Sequence, residues 1–154
     1  MIEETSVSPE QIFSLLGGLS MLGWAGLVLA PRWTITRDWL APVVVPLVIG
    51  VVYVTLMGIY VDRAPEGGGF DSLAGVAALF AVDELLLAGW IHYLAFDLFV
   101  GAWEVKDAQA QGIHHLLVIP CLFLTLMAGP GGLLLYWLIR VVHTFWSSEN
   151  AVRA

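Results

Sequence analysis

No charged residue interrupts Val43 through Val61. As a helix at about 1.5 Å per residue, that run matches a bilayer hydrocarbon core of about 30 Å. In lipid the backbone polar groups must be satisfied within the segment, which leaves an α-helix as the available structure. The whole chain agrees: of 154 residues, 59% are hydrophobic and 12% charged, where soluble domains run near half and a quarter. The expected fold is all-α, an integral membrane bundle of four transmembrane helices forming a single domain over 1–154.

The spans are expected near 9–30, 39–61, 82–103 and 113–140. Ser8 is suited to N-cap the first helix, Pro9 to its first position and Glu10 to the positive end of its dipole. Spacings such as Gly17/Ser20 and Gly23/Gly26 put small residues on shared faces where helices approach closely. Pro46, inside the second span, is expected to kink or loosen it locally. Residues 70–81 read as a short interfacial or re-entrant helix before the third span, because a continuous helix to Trp103 would overrun the bilayer. Glu104 to Gly112 reads as a polar loop. The cluster Gly129-Pro130-Gly131-Gly132 is expected to kink one fourth span, its broken backbone facing protein or a water-lined cavity. Four spans place both chain ends on one side.

Net charge is −7 with the acids dispersed. There is no basic stripe, so nucleic acid is not an expected partner. The lone Cys121 cannot form an internal disulfide. The N-terminus lacks the positive region of a cleaved signal peptide, so the first apolar segment is expected to stay as an anchor. With no transit-peptide-like leader, the chain is expected to be a multi-pass protein of a bacterial inner membrane, able to form a homo-oligomer.

The third span carries Asp83, Glu84, His92 and Asp97. Ionisable groups are costly in hydrocarbon, so they are normally turned inward and used. At about 100° per residue, Asp83 and Asp97 fall on nearly one face with Trp90 between them, and Glu104 continues that stripe. His92 lies roughly opposite Asp83 and closer to Glu84. A helix polar on more than one side belongs in the centre of a bundle. Plainer readings stand beside the functional ones. Asp83 and Glu84 suit a helix N-terminus. His92 suits a neutral imidazole bonded to a neighbouring helix, and His114-His115 an interfacial pair. Arg140 and His143 suit a snorkelling pair. The helical pairings that prearrange metal ligands are absent, so no metal is assigned.

Leu85-Leu-Leu-Ala-Gly-Trp-Ile-His-Tyr-Leu-Ala-Phe-Asp-Leu-Phe-Val-Gly-Ala-Trp103 resembles the signature of the abscisic-acid-deficient-4-like family. So do the stretches from His115 to Leu122 and from Leu126 to Arg140, and the likeness runs from about Gln11 to Arg140. The resemblance implies a small four-helix membrane protein associated with conversion of violaxanthin, a carotenoid 5,6-epoxide, to allenic neoxanthin. Such an isomerisation needs an acid at the epoxide oxygen and a base at a polyene proton, and no redox cofactor. Asp97 or Glu84, kept neutral by burial, is expected as the acid and His92 as the base. Asp83, Trp90, Tyr93, Phe96, His115, Tyr136 and Arg140 are the expected substrate-binding residues. The expected partner is a carotenoid or other isoprenoid lipid within the membrane lipids. Non-catalytic carotenoid or quinone binding is the alternative, and a small proton- or metal-linked carrier a third.

Overall fold

The computed structural model of the chain describes residues 8–153. These form six helices: α1 (Pro9–Leu29), α2 (Ile35–Arg63), α3 (Leu73–Leu79), α4 (Asp83–Gln111), α5 (His115–Ala128) and α6 (Pro130–Arg153). The start of α1 follows its sequence. Gln11 N–H donates to Ser8 Oγ at 3.3 Å and Ser8 N–H to Gln11 Oε1 at 2.9 Å, a closed capping box.

Helix α2 begins earlier than Trp39 and does not break at Pro46. Its first stretch, Ile35–Val44, is π-helical, and Val45–Tyr60 continues as α-helix. Pro42 and Pro46 lack N–H groups. The wider register lets neighbouring donors reach one residue further back, as Val45 N–H does to Leu40 C=O. The segment that reads as a linker therefore joins the helix, placing Arg37 and Asp38 on its first turn.

The short helix before the third span is present as α3, capped by Ser72 Oγ accepting from Gly75 N–H at 3.0 Å. Helix α4 then starts at Asp83 but runs on through the expected polar loop to Gln111, a length of 29 residues. Residues 104–111 favour helix by propensity, and Glu104, Val105 and Ala108 are buried. The stop comes at Gly112, whose φ of +72° suits glycine.

The fourth span differs most. A single kinked helix over 113–140 is replaced by two helices packed side by side. Gly129, at φ +40°, makes the turn and Pro130 opens α6. Gly132 permits the close return: a Cβ there would collide with Thr125 Oγ1 and N and lie 2.5 Å from the Cys121 carbonyl.

Contacts along α4 fix the directions. Phe13 meets Trp90 and Trp24 meets Gly101, so α1 runs parallel to it. Tyr53 meets His92 whereas Arg37 reaches Gln109, so α2 is antiparallel. Gly129 meets Asp97 and Arg140 meets Asp107, so α6 is again parallel. The start of α1 and the end of α6 thus lie at opposite ends of the bundle, not at one.

As expected, α4 is the central helix, packed on α1, α2, α5 and α6. Helices α1, α2 and α4 are long and apolar enough to cross a membrane, and α5 is a shorter apolar helix. Large apolar side chains face outward on the surrounding helices, among them Leu15, Leu29, Val51, Val54, Phe123 and Leu134. A lipid-facing surface has this composition.

Candidate functional site

Asp97 sits midway along α4, where the α5–α6 hairpin turns. A Cβ built on Gly129 would lie 3.0 Å from Asp97 Oδ1, 3.5 Å from Oδ2 and 3.5 Å from the Tyr93 ring. Tyr93 OH donates to the Leu126 carbonyl at 3.1 Å. The phenol and carboxyl of residues one helical turn apart therefore meet the last turn of α5. Asp97 Oδ2 is buried and has no hydrogen-bond partner. Gly129 is buried against α4, whereas Pro130 is exposed at the edge of a cleft.

Below this turn lies a cleft of about 800 Å³, walled by Phe13, Gly17 and Met21 of α1, Trp90, Tyr93 and Leu94 of α4, and Leu126 to Ala128 of α5. Phe80, just after α3, closes part of it against Gly89, where a Cβ would stand 3.0 Å from the ring. The wall is apolar apart from the Tyr93 hydroxyl and the Trp90 indole. That composition suits an apolar ligand with little polar chemistry.

The remaining sequence candidates are spread around α4. Trp90 lines the cleft and stacks between Phe13 and Tyr93. His92 and Phe96 face a different side. Their rings are 4.6 Å apart, and together with Tyr53, Pro42 and Pro46 they border a separate cleft of about 530 Å³. His92 and Asp97 are thus not brought into one cavity. Asp83 is exposed at the α4 N-terminus beside Pro9, Glu10 and Ser14, and Glu84 is half-buried on the same turn. His115 Nε2 lies 3.0 Å from the Val28 carbonyl, tying α5 to α1. Tyr136 and Arg140 do come together, through a residue that reads as loop in the sequence. Tyr136 OH donates to Asp107 Oδ2 at 2.5 Å, and Arg140 Nε donates to the same oxygen at 2.6 Å.

Glu104, read as continuing the Asp83/Asp97 stripe into a polar loop, is instead part of α4. It is fully buried, and its Oε1 accepts from Thr125 Oγ1 at 3.0 Å. The seven-residue recurrence 83, 90, 97, 104 places it on that helix face, but the span is expected to end at Trp103, so its burial within the helix is not expected. Among the described residues no three His, Cys, Asp or Glu side chains gather to hold a metal ion.

Fold and site define a helical membrane protein with carboxyls buried between its central helix and a broken-helix hairpin. The chain belongs to the ABA DEFICIENT 4-like family, which matches residues 11–136. It is 29% identical over 96 residues to "Protein ABA DEFICIENT 4, chloroplastic" of Arabidopsis thaliana, covering 57% of this chain and 43% of that protein. The chain therefore spans less than half the length of that relative. No solved structure matches.

Proposed function

We propose that this protein is a redox-neutral isomerase acting on an epoxidised carotenoid or a related isoprenoid, whose end ring enters the cleft beneath the α5–α6 turn. The observation that carries the reading is the half-buried Asp97 carboxyl, beside Tyr93 where an apolar, lipid-sized cleft meets a broken helix. Family membership supports the substrate class. The proton held by Asp97 passes through the Tyr93 phenol to the epoxide oxygen as the C–O bond breaks. A proton from the adjacent polyene carbon returns by the same pair, leaving an allene and a hydroxyl. Electrons and protons balance and no cofactor is consumed.

His92, expected as the base, opens onto the other cleft, so the geometry favours one proton-bearing pair over two separated groups. Glu84, near the far end of α4, stands outside this pair.

The test is expression in a host that makes epoxy-carotenoids. A changed pigment profile that is lost with Asp97→Asn supports the isomerase. Pigment that copurifies unchanged would overturn it in favour of a binding subunit.

A further inference from the structure

Among the described residues, four buried side-chain atoms have no hydrogen-bond partner: Ser20 Oγ, Trp24 Nε1, Asp97 Oδ2 and Glu104 Oε2. All four lie on α1 and α4, and the register of those helices brings them together. Phe13 meets Trp90 and Trp24 meets Gly101, both pairs separated by the same 77 positions. Gly17 and Leu94, at that separation too, share the wall of the cleft. Ser20 therefore stands opposite Asp97. The Trp24 indole lies over Gly101, between the levels of Asp97 and Glu104. Ser20 is 1% exposed, Trp24 3% and Glu104 0%.

The seam continues away from the cleft. Thr125 of α5 donates to Glu104 from one side, and one turn further along α4 the hydroxyl of buried Tyr136 of α6 donates to Asp107. Asp107, with Arg140 beside it, marks the partly exposed end of this row. Asp97 to Glu104 is seven residues, roughly 10 Å along the helix axis. That gap is too long for a direct hydrogen bond; the Trp24 ring packs over Gly101 within it, and Ser20 stands at the level of Asp97.

Buried polar atoms without protein partners are normally satisfied by ordered water. The indole N–H argues for water over a cation here, because it can only donate and gives a metal ion nothing to bind.

We infer that this seam is a water-filled proton path linking Asp97, through Glu104, to the Asp107 end of the bundle. Each hop breaks one O–H bond and forms another, so nothing is consumed and no co-reactant is needed. The path would let Asp97 exchange its proton without using the lipid-facing cleft, whose walls offer few proton carriers. It rests on the proposed function only in taking Asp97 as the group that holds the proton.

The test is infrared spectroscopy of the purified full-length chain during transfer from H2O to D2O. The Asp97 band is the protonated-carboxyl stretch that disappears in Asp97→Asn. Glu104→Gln is expected to slow deuteration of that band at least tenfold, and Trp24→Phe, which keeps an aromatic ring but removes the N–H with the five-membered ring, to slow it several-fold. If Glu104→Gln does not fold, Trp24→Phe decides alone. Wild-type exchange rates in the folded variants would overturn the path, as would the absence of any protonated-carboxyl band that depends on Asp97. Exchange is read without substrate, so a failure of carotenoid conversion leaves this result standing.

Discussion

Gly129 turns its backbone directly onto the Asp97 carboxyl, with space for a hydrogen atom but not for a methyl group: a Cβ would sit 3.0 Å from Oδ1. Its φ of +40° is strained for any L side chain. Gly129→Ala is therefore expected to destabilise the protein by about 1–3 kcal/mol and to displace Asp97. Gly67 supplies the control. It also has positive φ, at +82°, but nothing lies within 4 Å of its Cβ position. Thermal unfolding in detergent should show a larger loss for Gly129→Ala than for Gly67→Ala; equal losses would mean that the carboxyl contact contributes nothing.

The glycines give a second, sharper comparison. Gly132→Ala drives a methyl into the backbone of α5 at Thr125 and Cys121, which cannot move aside as a flexible side chain would. The hairpin must open, and a loss of several kcal/mol or failure to accumulate in membranes is expected. Gly18→Ala meets nothing within 4 Å and replaces a weak helix former by a strong one. It should leave the melting temperature unchanged or slightly raised. A well-tolerated Gly132→Ala would argue against the side-by-side packing of α5 and α6.

These glycines also show what the sequence can convey. Gly23 and Gly26, read as close-approach positions, do meet Leu98 and Thr36, whereas Gly17 and Gly18 meet nothing. Composition and apolar run length located α1, α3 and the central α4, because burial in lipid leaves few alternatives. The ends were misread where local signals compete with tertiary packing. Pro46 suggested a kink or local loosening, and a wider π-helical register just before it carries the helix on unbroken. Glu104 looked like the first loop residue because it is charged, yet Thr125 satisfies it. Gly129-Pro130 looked like a kink because the apolar stretch after it is short. Whether α6 continues from α5 or folds back depends on the fit of Gly132 against α5, which no periodicity encodes. Asp97 was legible from its depth in the span. Its separation from His92 was not, because five helical positions turn a side chain about 140° and the neighbouring helices decide what lies there.

Asp107, Tyr136 and Arg140 form a triad that fastens α6 to the end of α4. Tyr136 is fully buried, and its hydroxyl bonds a carboxylate that also takes Arg140. Tyr136→Phe keeps the ring packing on Trp103 but removes the charge-assisted bond. A cost of about 1.5–3 kcal/mol is expected. Arg140→Met should cost less, since the pair is about a quarter exposed on the arginine side and partly screened. Because all three share one carboxylate, the double variant should lose less than the sum of the two. Strict additivity in a double-mutant cycle would contradict the shared contact.

The placement of His92 and Asp97 on different sides of α4 separates two versions of the chemistry. If one acid and one distinct base act on the same end ring, Asp97→Asn and His92→Ala should both abolish conversion. If the Tyr93–Asp97 pair both gives and retrieves the proton, Asp97→Asn should reduce conversion at least a hundredfold, while His92→Ala keeps most of it. Tyr93→Phe belongs to the same argument. It preserves the ring against Trp90 and removes the hydroxyl through which the proton passes, so a loss of about 10²–10⁴-fold is expected. The measurement is product formed per unit of membrane-inserted protein, with each variant's accumulation checked by immunoblot. Activity in Tyr93→Phe equal to wild type would remove the phenol from the path and leave Asp97 to act directly. Loss in His92→Ala as deep as in Asp97→Asn would require the two clefts to serve one substrate. The structure offers a route for that, because a small space of about 170 Å³ under Phe70 and Phe80 borders both Gly89 and His92. Filling that space with Gly89→Leu should then abolish conversion even with both ionisable residues intact.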